Sequence, residues 1–204
     1  DQLPTIRDPQ IVSLEALKIG TRIHFLHAMK AARKQDYAAA AEAFALGLKR
    51  EPDNVAARIS LARSLYLSGD KPGARRELEA ALARQADTAL ALFLLGVMAE
   101  EEGDAAAAAS YYQHAVQQGP DHAGANYFLA NQFYRQGDHE KAVTHYASSI
   151  RGEPGNQLVY MPYLGALLKS GASDAQLMQV LEAGLKVFPE HPGLQSLQVI
   201  LLAS

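Results

Sequence analysis

The chain has 204 residues, a formal net charge of −3, a sequence pI near 6.2 and no cysteine. The lack of cysteine excludes a disulfide framework, a cysteine-ligated zinc site and a thiol nucleophile. The mildly acidic balance, without a basic stripe, argues against a nucleic-acid partner. The longest apolar stretch, residues 89–99, is shorter than the roughly 20 residues that a membrane-spanning helix needs, so we expect no membrane insertion.

The first twenty residues are expected to lie outside the repeated part of the chain. Residues 1–9 contain Pro4 and Pro9 and are predicted to be extended, and residues 10–19 are predicted to form a short helix that ends at Gly20. No secretory signal opens the chain and its first residue is Asp1, so we expect a processed or excised segment of a soluble protein. The compartment, cytoplasmic or periplasmic, stays open because the absence of cysteine fits both.

From residue 21 onward, a spacing of thirty-four residues organises the sequence. Residues 21–54, 55–88, 89–122 and 123–156 align without gaps, and a fifth unit follows at 158–191 after one extra residue. Self-similarity at this period is typical of stacked helix pairs rather than of one globular core. Each unit predicts a first helix, a short turn, a second helix and a connection.

The turns within the units repeat in composition. Glycine adopts the left-handed conformation that ends a helix at low cost, and aspartate caps the next helix by accepting from its free N–H groups. The same slot is occupied by Gln35-Asp36, Gly69-Asp70, Gly103-Asp104 and Gly137-Asp138.

Small residues and prolines follow the same spacing. Small side chains let two helix axes lie close together, and proline is tolerated just past a helix, where its missing N–H does no harm. The small residues are Ala28, Ala62, Gly96, Ala130 and Gly165 in the first helices, and Gly47, Ala81, Ala115, Ser149 and Gly184 in the second. The prolines are Pro52, Pro120, Pro154 and Pro189, and the apolar residues 192–204 then predict a helix that covers the last unit.

Pro162 falls early in the first helix of the fifth unit. Proline in a helix interior costs about 3 kcal/mol. We therefore expect this helix to bend at Pro162 or to begin late, after Met161, and we favour the late start.

This pattern resembles the tetratricopeptide repeat (TPR) family over residues 21–191. The third unit carries the family motif as Leu95-Gly96, Gly103-Asp104, Ala108, Tyr112, Ala115 and Pro120. The departures include His24, Arg58 and Asn126 at the fourth place and His27 in place of a leucine. The resemblance implies an all-α, right-handed superhelical solenoid of antiparallel helix pairs, with about five repeats and flanking helices.

The resemblance also implies a concave groove lined by the first helices. In the family, places two, five, nine, twelve and thirteen face inward, since spacings of three and four keep side chains on one helix face. The candidate groove residues taken from these places are Phe25, Met29, Arg33, Ile59, Arg63, Tyr66, Phe93, Val97, Tyr127, Asn131, Tyr134 and Arg135.

The fifth-place residues are the most informative column of that set. Phe25, Ile59, Phe93 and Tyr127 are predicted to form an exposed apolar ladder, with the three arginines at its rim. Such ladders are typical of peptide-binding grooves, where aromatic and arginine anchors carry much of the binding energy. The alternative is that these side chains pack between adjacent first helices. Alanine at Phe93 and Tyr127 separates the two, because groove residues would weaken a partner and leave melting nearly unchanged.

Other kinds of site find little support in the sequence. A carboxylate clamp for chaperone tails would need Lys and Asn where Phe25 and Met29 stand, and Asn131 alone matches a clamp-like slot. His24 and His27 have metal-binding spacing, but no Cys, Asp or Glu completes a site in their helix and His27 occupies a packing slot. No P-loop, dinucleotide fingerprint or nucleophile elbow is present. We therefore predict no enzyme, no cofactor and no metal.

The sequence thus predicts a protein-interaction scaffold, bacterial in style, that binds a peptide or protein segment in its concave groove. One alternative is a self-associating module that forms a homo-oligomer through its apolar C-terminal helix. Another is a docking or regulatory tail of a larger multidomain protein.

Overall fold

A computed structural model describes residues 9–84 and 88–203, with side chains from Gly20 onward. This part is all-α and contains no strand, which confirms the predicted fold class. Its eleven helices are α1 (Pro9–Arg33), α2 (Tyr37–Leu48), α3 (Val55–Ser68), α4 (Lys71–Leu82), α5 (Ala89–Glu101), α6 (Ala105–Gln118), α7 (Ala123–Arg135), α8 (His139–Gly152), α9 (Gln157–Lys169), α10 (Asp174–Val187) and α11 (Pro192–Leu202). Residues 1–8 of the predicted extended segment 1–9 lie outside the described residues, and Pro9 is the first residue of α1.

The chain divides into two compact units within α5, at Leu94. In the first unit α1 packs on α2, α2 on α3 and α3 on α4. In the second, α6 packs on α7, and the contacts continue pairwise from α7 through α11. The cores follow the same division: Ala28, Phe44 and Leu61 belong to the first unit's cluster, and Tyr146 and Leu181 belong to two clusters in the second.

The turns within the helix pairs have the predicted conformations. The residue that ends each first helix has a positive φ, at Gln35 (61°), Gly69 (98°), Gly103 (81°), Gly137 (82°) and Gly171 (74°). The aspartates that follow the first four accept a hydrogen bond from the backbone N–H three residues on, at Asp36, Asp70, Asp104 and Asp138. Helix α10 is capped by Ser173 in a capping box with Gln176 instead.

The extra residue of the fifth unit lies in this last turn. Gly171 stands seventeen residues after Pro154, as Gly137 stands after Pro120, but the cap follows Gly171 by two residues rather than one. The insertion is therefore Ala172. Helix α9 begins at Gln157, three residues after its proline as α7 does, so the first helix of the fifth unit starts one residue before the predicted 158.

Two predicted helix boundaries are wrong. The helix at the N-terminus does not end at Gly20, because α1 runs without interruption from Pro9 to Arg33. Helix α9 does not begin late, because Pro162 lies inside it. Asn156 caps α9, and Val159 and Tyr160 of its first two turns are buried. This burial stabilises the part of the helix before the proline. It offsets the loss of one backbone hydrogen bond, because Pro162 has no N–H to donate to the Leu158 carbonyl.

Polar side chains of α3, α7, α9 and α11 form hydrogen bonds with the connections that precede these helices. Six residues after each connecting proline, a side chain donates to the carbonyl oxygen of that proline. The pairs are Arg58 with Pro52 (2.7 Å), Asn126 with Pro120 (2.8 Å), Tyr160 with Pro154 (2.9 Å) and Gln195 with Pro189 (2.9 Å). Arg58 and Asn126, departures from the family motif, thus have a structural role.

Candidate functional site

The first unit contains a cleft between α1, α2 and α3, here called the first cleft. Its volume is about 320 Å³. Helix α1 contributes three side chains, α2 two and α3 four. The lining residues are Met29, Ala32, Arg33, Tyr37, Phe44, Ser60, Arg63, Ser64 and Leu67.

The first cleft combines apolar and cationic side chains. Phe44 is 6% exposed and belongs to the core, whereas Met29 and Leu67 are 50% and 42% exposed. Arg33 and Arg63 are exposed, and the guanidinium group of neither forms an ion pair or a hydrogen bond with another residue in the described part of the chain. The cleft therefore offers apolar surface and two available guanidinium groups.

The second unit contains a comparable cleft of about 350 Å³ between α5, α6 and α7, here called the second cleft. Its lining residues are Glu100, Ala105, Ala108, Ala109, Tyr112, Phe128, Gln132, Arg135 and Gln136. The rings of Tyr112 and Phe128 stack with centroids 4.9 Å apart. The Tyr112 hydroxyl donates to Glu100 Oε2 at 2.9 Å, so this cleft has an aromatic floor, a carboxylate and an arginine.

The two clefts occupy equivalent places two repeats apart. Six residues of the first cleft have their counterparts sixty-eight positions later in the second. The equivalent pairs are Ala32 and Glu100, Tyr37 and Ala105, Phe44 and Tyr112, Ser60 and Phe128, Ser64 and Gln132, and Leu67 and Arg135. The repeat thus forms the same cleft in each unit and the sequence varies its chemistry.

In the first unit, three predicted groove residues line the cleft: Met29, Arg33 and Arg63. Ile59 does not, since it is 5% exposed and its side chain is part of the core. Phe25 is half-buried against the core, with its ring centroid 6.3 Å from that of Phe44. Tyr66 and Phe93 are also half-buried. The predicted exposed ladder is therefore wrong at Ile59, where the alternative of packing applies.

In the second unit, Arg135 alone of the predicted residues lines the cleft. Tyr127 is half-buried between Phe128 (5.7 Å) and Tyr146 (6.4 Å, centroid to centroid).

Asn131, Tyr134 and Val97 also lie outside the second cleft. Asn131 Oδ1 accepts from the Tyr146 hydroxyl at 2.6 Å, and burial raises the pKa of Tyr146 to about 12. Tyr134 packs edge-on against His139 at 5.1 Å, and Val97 is half-buried.

The clefts include residues that the repeat pattern did not predict as groove residues. Tyr37, Phe44 and Tyr112 come from second helices, and Phe128 comes from place six of a first helix. The recurrence of Phe44 and Tyr112 at the repeat spacing was a visible signal for one of these columns. Place six was not predicted because the family's inward-facing places do not include it. Its side chain in this chain, Phe128, faces the second helix of the preceding repeat, where it stacks on Tyr112.

The arrangement of the histidines and the hydropathy of the helices bear on metal binding and membrane insertion. His27 is exposed, not packed as the sequence predicted. No group of three or more His, Asp or Glu residues in the described part is arranged to hold a metal ion. Of the helices that the structure describes, none combines the length and hydropathy that a membrane span requires.

Solved structures with the same fold include tetratricopeptide repeat proteins. The MamA protein is 24% identical with a TM-score of 0.56, over 82% of this chain and 91% of that one. YrrB, described as a TPR protein with an unusual peptide-binding site, is 14% identical with a TM-score of 0.55, over 94% and 98%. PilF of Pseudomonas aeruginosa is 16% identical with a TM-score of 0.66, over 84% and 78%. At these identities the likeness shows the fold alone.

Sequence comparison gives the family. No curated protein sequence matches the chain. The tetratricopeptide repeat model matches three overlapping segments, residues 25–77, 61–123 and 101–157. These segments cover more than half of the chain and contain all the lining residues of both clefts. The chain therefore belongs to the tetratricopeptide repeat family.

Proposed function

We propose that this protein is an interaction scaffold that binds a peptide or protein segment in the first and second clefts. The observation that carries the proposal is their equivalence. Each cleft combines an aromatic residue of a second helix, Phe44 or Tyr112, with an arginine of a first helix. Aromatic and arginine side chains are the residues that most often dominate binding energy at interfaces.

The proposal treats residues 21–191 as five repeats and residues 192–204 as a covering helix. It replaces the predicted ladder by two clefts, so that Met29, Arg33, Arg63 and Arg135 remain contact residues. Ile59, Phe25 and Tyr127 act behind them as packing. YrrB has an unusual peptide-binding site, which supports peptide binding as a function that this fold can carry.

The test is selection of a dodecapeptide phage library against the immobilised full chain, followed by fluorescence anisotropy with the enriched peptides. Met29→Glu/Leu67→Glu places charge on exposed apolar surface of the first cleft, and Gln132→Trp fills the second. We expect one of these variants to weaken the selected peptides at least tenfold. The matched control is Leu46→Glu, at a residue that is 39% exposed on α2 and lines neither cleft. A selection that enriches no peptide would contradict the proposal. So would cleft variants that both bind the selected peptides as tightly as the wild type does.

A second function, self-association, is favoured by α11. Its residues Val199, Ile200 and Leu202 are 68%, 63% and 72% exposed, and burying such side chains stabilises an assembly by about 25 cal/mol per Å². Light scattering across a hundredfold concentration range measures this directly. Self-association predicts a mass that rises with concentration and a constant monomer mass for Val199→Lys/Ile200→Lys. An unchanged mass for the wild-type chain excludes it.

A further inference from the structure

We propose that the first cleft selects an acidic-amphipathic peptide segment. A Glu or Asp side chain of the segment contacts Arg33 and Arg63, and a neighbouring apolar side chain covers Met29 and Leu67. The inference rests on the proposed function, because it names the partner chemistry of one of its two clefts. It goes beyond that function by assigning a charge preference to the first cleft that the second lacks.

The first step rests on Arg33 and Arg63, whose guanidinium groups have no carboxylate partner in the described residues. Some exposed arginines in the described residues have carboxylate partners: Arg84 contacts Asp53 at 3.5 Å and Arg151 contacts Asp121 at 3.0 Å. Arg33 and Arg63 have none there, and no Asp or Glu lines their cleft among the residues described. A guanidinium presents a fork of N–H donors that matches a carboxylate. These two donors are therefore available to a carboxylate from a partner.

The apolar surface carries the second step. Met29 and Leu67 lie in the same cleft as the arginines and are 50% and 42% exposed. Covering them removes apolar area from water, and Phe44, which also lines the cleft, belongs to the packed core. A ligand that contributes only a carboxylate would leave this surface exposed. The cleft thus favours an acidic residue beside an apolar one.

The distribution of charge carries the third step. Residues 1–94 contain fourteen Lys and Arg against eleven Asp and Glu, a net charge of +3, whereas residues 95–204 contain five against eleven, a net charge of −6. An acidic segment is therefore attracted to the first unit and repelled by the second. In the second cleft Glu100 accompanies Arg135, so that cleft has no comparable preference for anions.

The experiment uses dodecapeptides with a fixed central Leu and all twenty residues at the other positions, displayed on phage and selected on the full chain. We expect Glu and Asp to be enriched within three residues of the Leu. A labelled peptide from this pool should bind about tenfold more tightly than its Glu→Gln version, which corresponds to about 1.4 kcal/mol. The double variant Arg33→Gln/Arg63→Gln should reduce this ratio to below twofold.

A control variant of equal charge separates contact from general attraction. Lys49→Gln/Arg76→Gln removes two exposed cations of the first unit that do not line the cleft, and it should leave the ratio near ten. An equal loss in this control would overturn direct contact. Enriched peptides without an acidic preference would overturn the inference and leave the proposed function standing, whereas no enrichment would overturn both. Tight binding of a labelled twelve-nucleotide oligouridylate, lost in the arginine double variant, would also overturn it.

Discussion

The side-chain amide of Asn126 donates to the carbonyl oxygen of Pro120 at 2.8 Å and so fastens α7 to the connection before it. The same nitrogen lies 3.1 Å from the carbonyl oxygen of His122, and Asn126 Oδ1 lies 2.9 Å from His145 Nδ1. Asn126 is 2% exposed. One buried amide therefore forms hydrogen bonds with a connection (the Pro120 carbonyl), with the N-cap of α7 (the His122 carbonyl) and with a side chain in the middle of α8 (His145).

We predict that Asn126→Leu lowers the free energy of unfolding by about 2–4 kcal/mol. Leucine has a similar size, so little space is lost. The Pro120 carbonyl and the His145 ring nitrogen would lose a partner that is itself buried, and each polar group left unsatisfied away from water costs about 1–3 kcal/mol. Urea denaturation followed by circular dichroism measures the change.

The control is Gln195→Leu, which removes the equivalent hydrogen bond to Pro189 (2.9 Å) at an exposed side chain. Water can replace that bond, so we expect a loss of no more than about 1 kcal/mol. Equal losses at the two positions would show that burial of the Asn126 network is not the cause.

A second prediction concerns Gln35, which has a φ of 61° where the equivalent turns have glycine. A side chain in the left-handed region costs about 1 kcal/mol relative to glycine. We therefore expect Gln35→Gly to stabilise the chain by about that amount, as measured by the urea midpoint. Gly103→Gln, at a φ of 81°, is the reverse change and should destabilise. A loss of stability in Gln35→Gly would mean that the glutamine side chain has a role of its own.

The fold could be predicted because its signals are local and repeated. The turn at Gly69-Asp70 needs a positive φ and a helix cap, and the two adjacent residues indicate both: the glycine adopts the positive φ and the aspartate caps α4. The boundaries failed where a tertiary effect outweighed a local one. Pro162 breaks a local rule, but burial of Val159 and Tyr160 holds the turn before it in the helix.

The candidate site was less predictable because exposure depends on what each helix packs against. The fifth place was assigned to the groove, yet Ile59 is buried while Phe25 is half-buried. Arg33 and Arg63, taken from the family's inward-facing places, do line a cleft, because charged side chains stay at the surface whatever their helix packs against. Phe128 was missed because its stacking on Tyr112 joins two repeats, and a list of first-helix places does not show such a contact.

A third prediction follows from His145, whose pKa is lowered by burial. Its Nδ1 donates to Asn126 Oδ1, because the Asn126 nitrogen already donates to two carbonyl groups, and its ring stacks on Phe133 with centroids 5.3 Å apart. The unfolded chain therefore binds a proton at this imidazole at a higher pH than the folded chain does. The free energy of unfolding should fall as the pH drops from 7 to 5, below the ordinary histidine pKa of about 6.5.

The measurement is a set of urea titrations at pH 7, 6 and 5 for the wild type, His145→Gln and His114→Gln. Glutamine at 145 cannot titrate and can still donate to Asn126, so part of the pH dependence should disappear. His114 is exposed, and its replacement should leave the slope as in the wild type. Identical slopes in all three proteins would show that His145 does not contribute.

The last prediction separates packing from binding at Tyr127, a residue assigned to the groove from its place in the repeat. Its ring lies 5.7 Å from Phe128 and 6.4 Å from Tyr146, and it packs on a buried cluster that includes Ala130 and Ala142. Removing a large aromatic side chain from such contacts costs several kcal/mol when the site is fully buried. Since Tyr127 is half-buried, we expect Tyr127→Ala to lower the free energy of unfolding by about 2 kcal/mol.

The control is Leu67→Ala, at an exposed cleft residue. It should lower the free energy of unfolding by less than about 1 kcal/mol and weaken the binding of selected peptides more than Tyr127→Ala does. Nearly unchanged melting of Tyr127→Ala, with weaker peptide binding, would return Tyr127 to the binding surface.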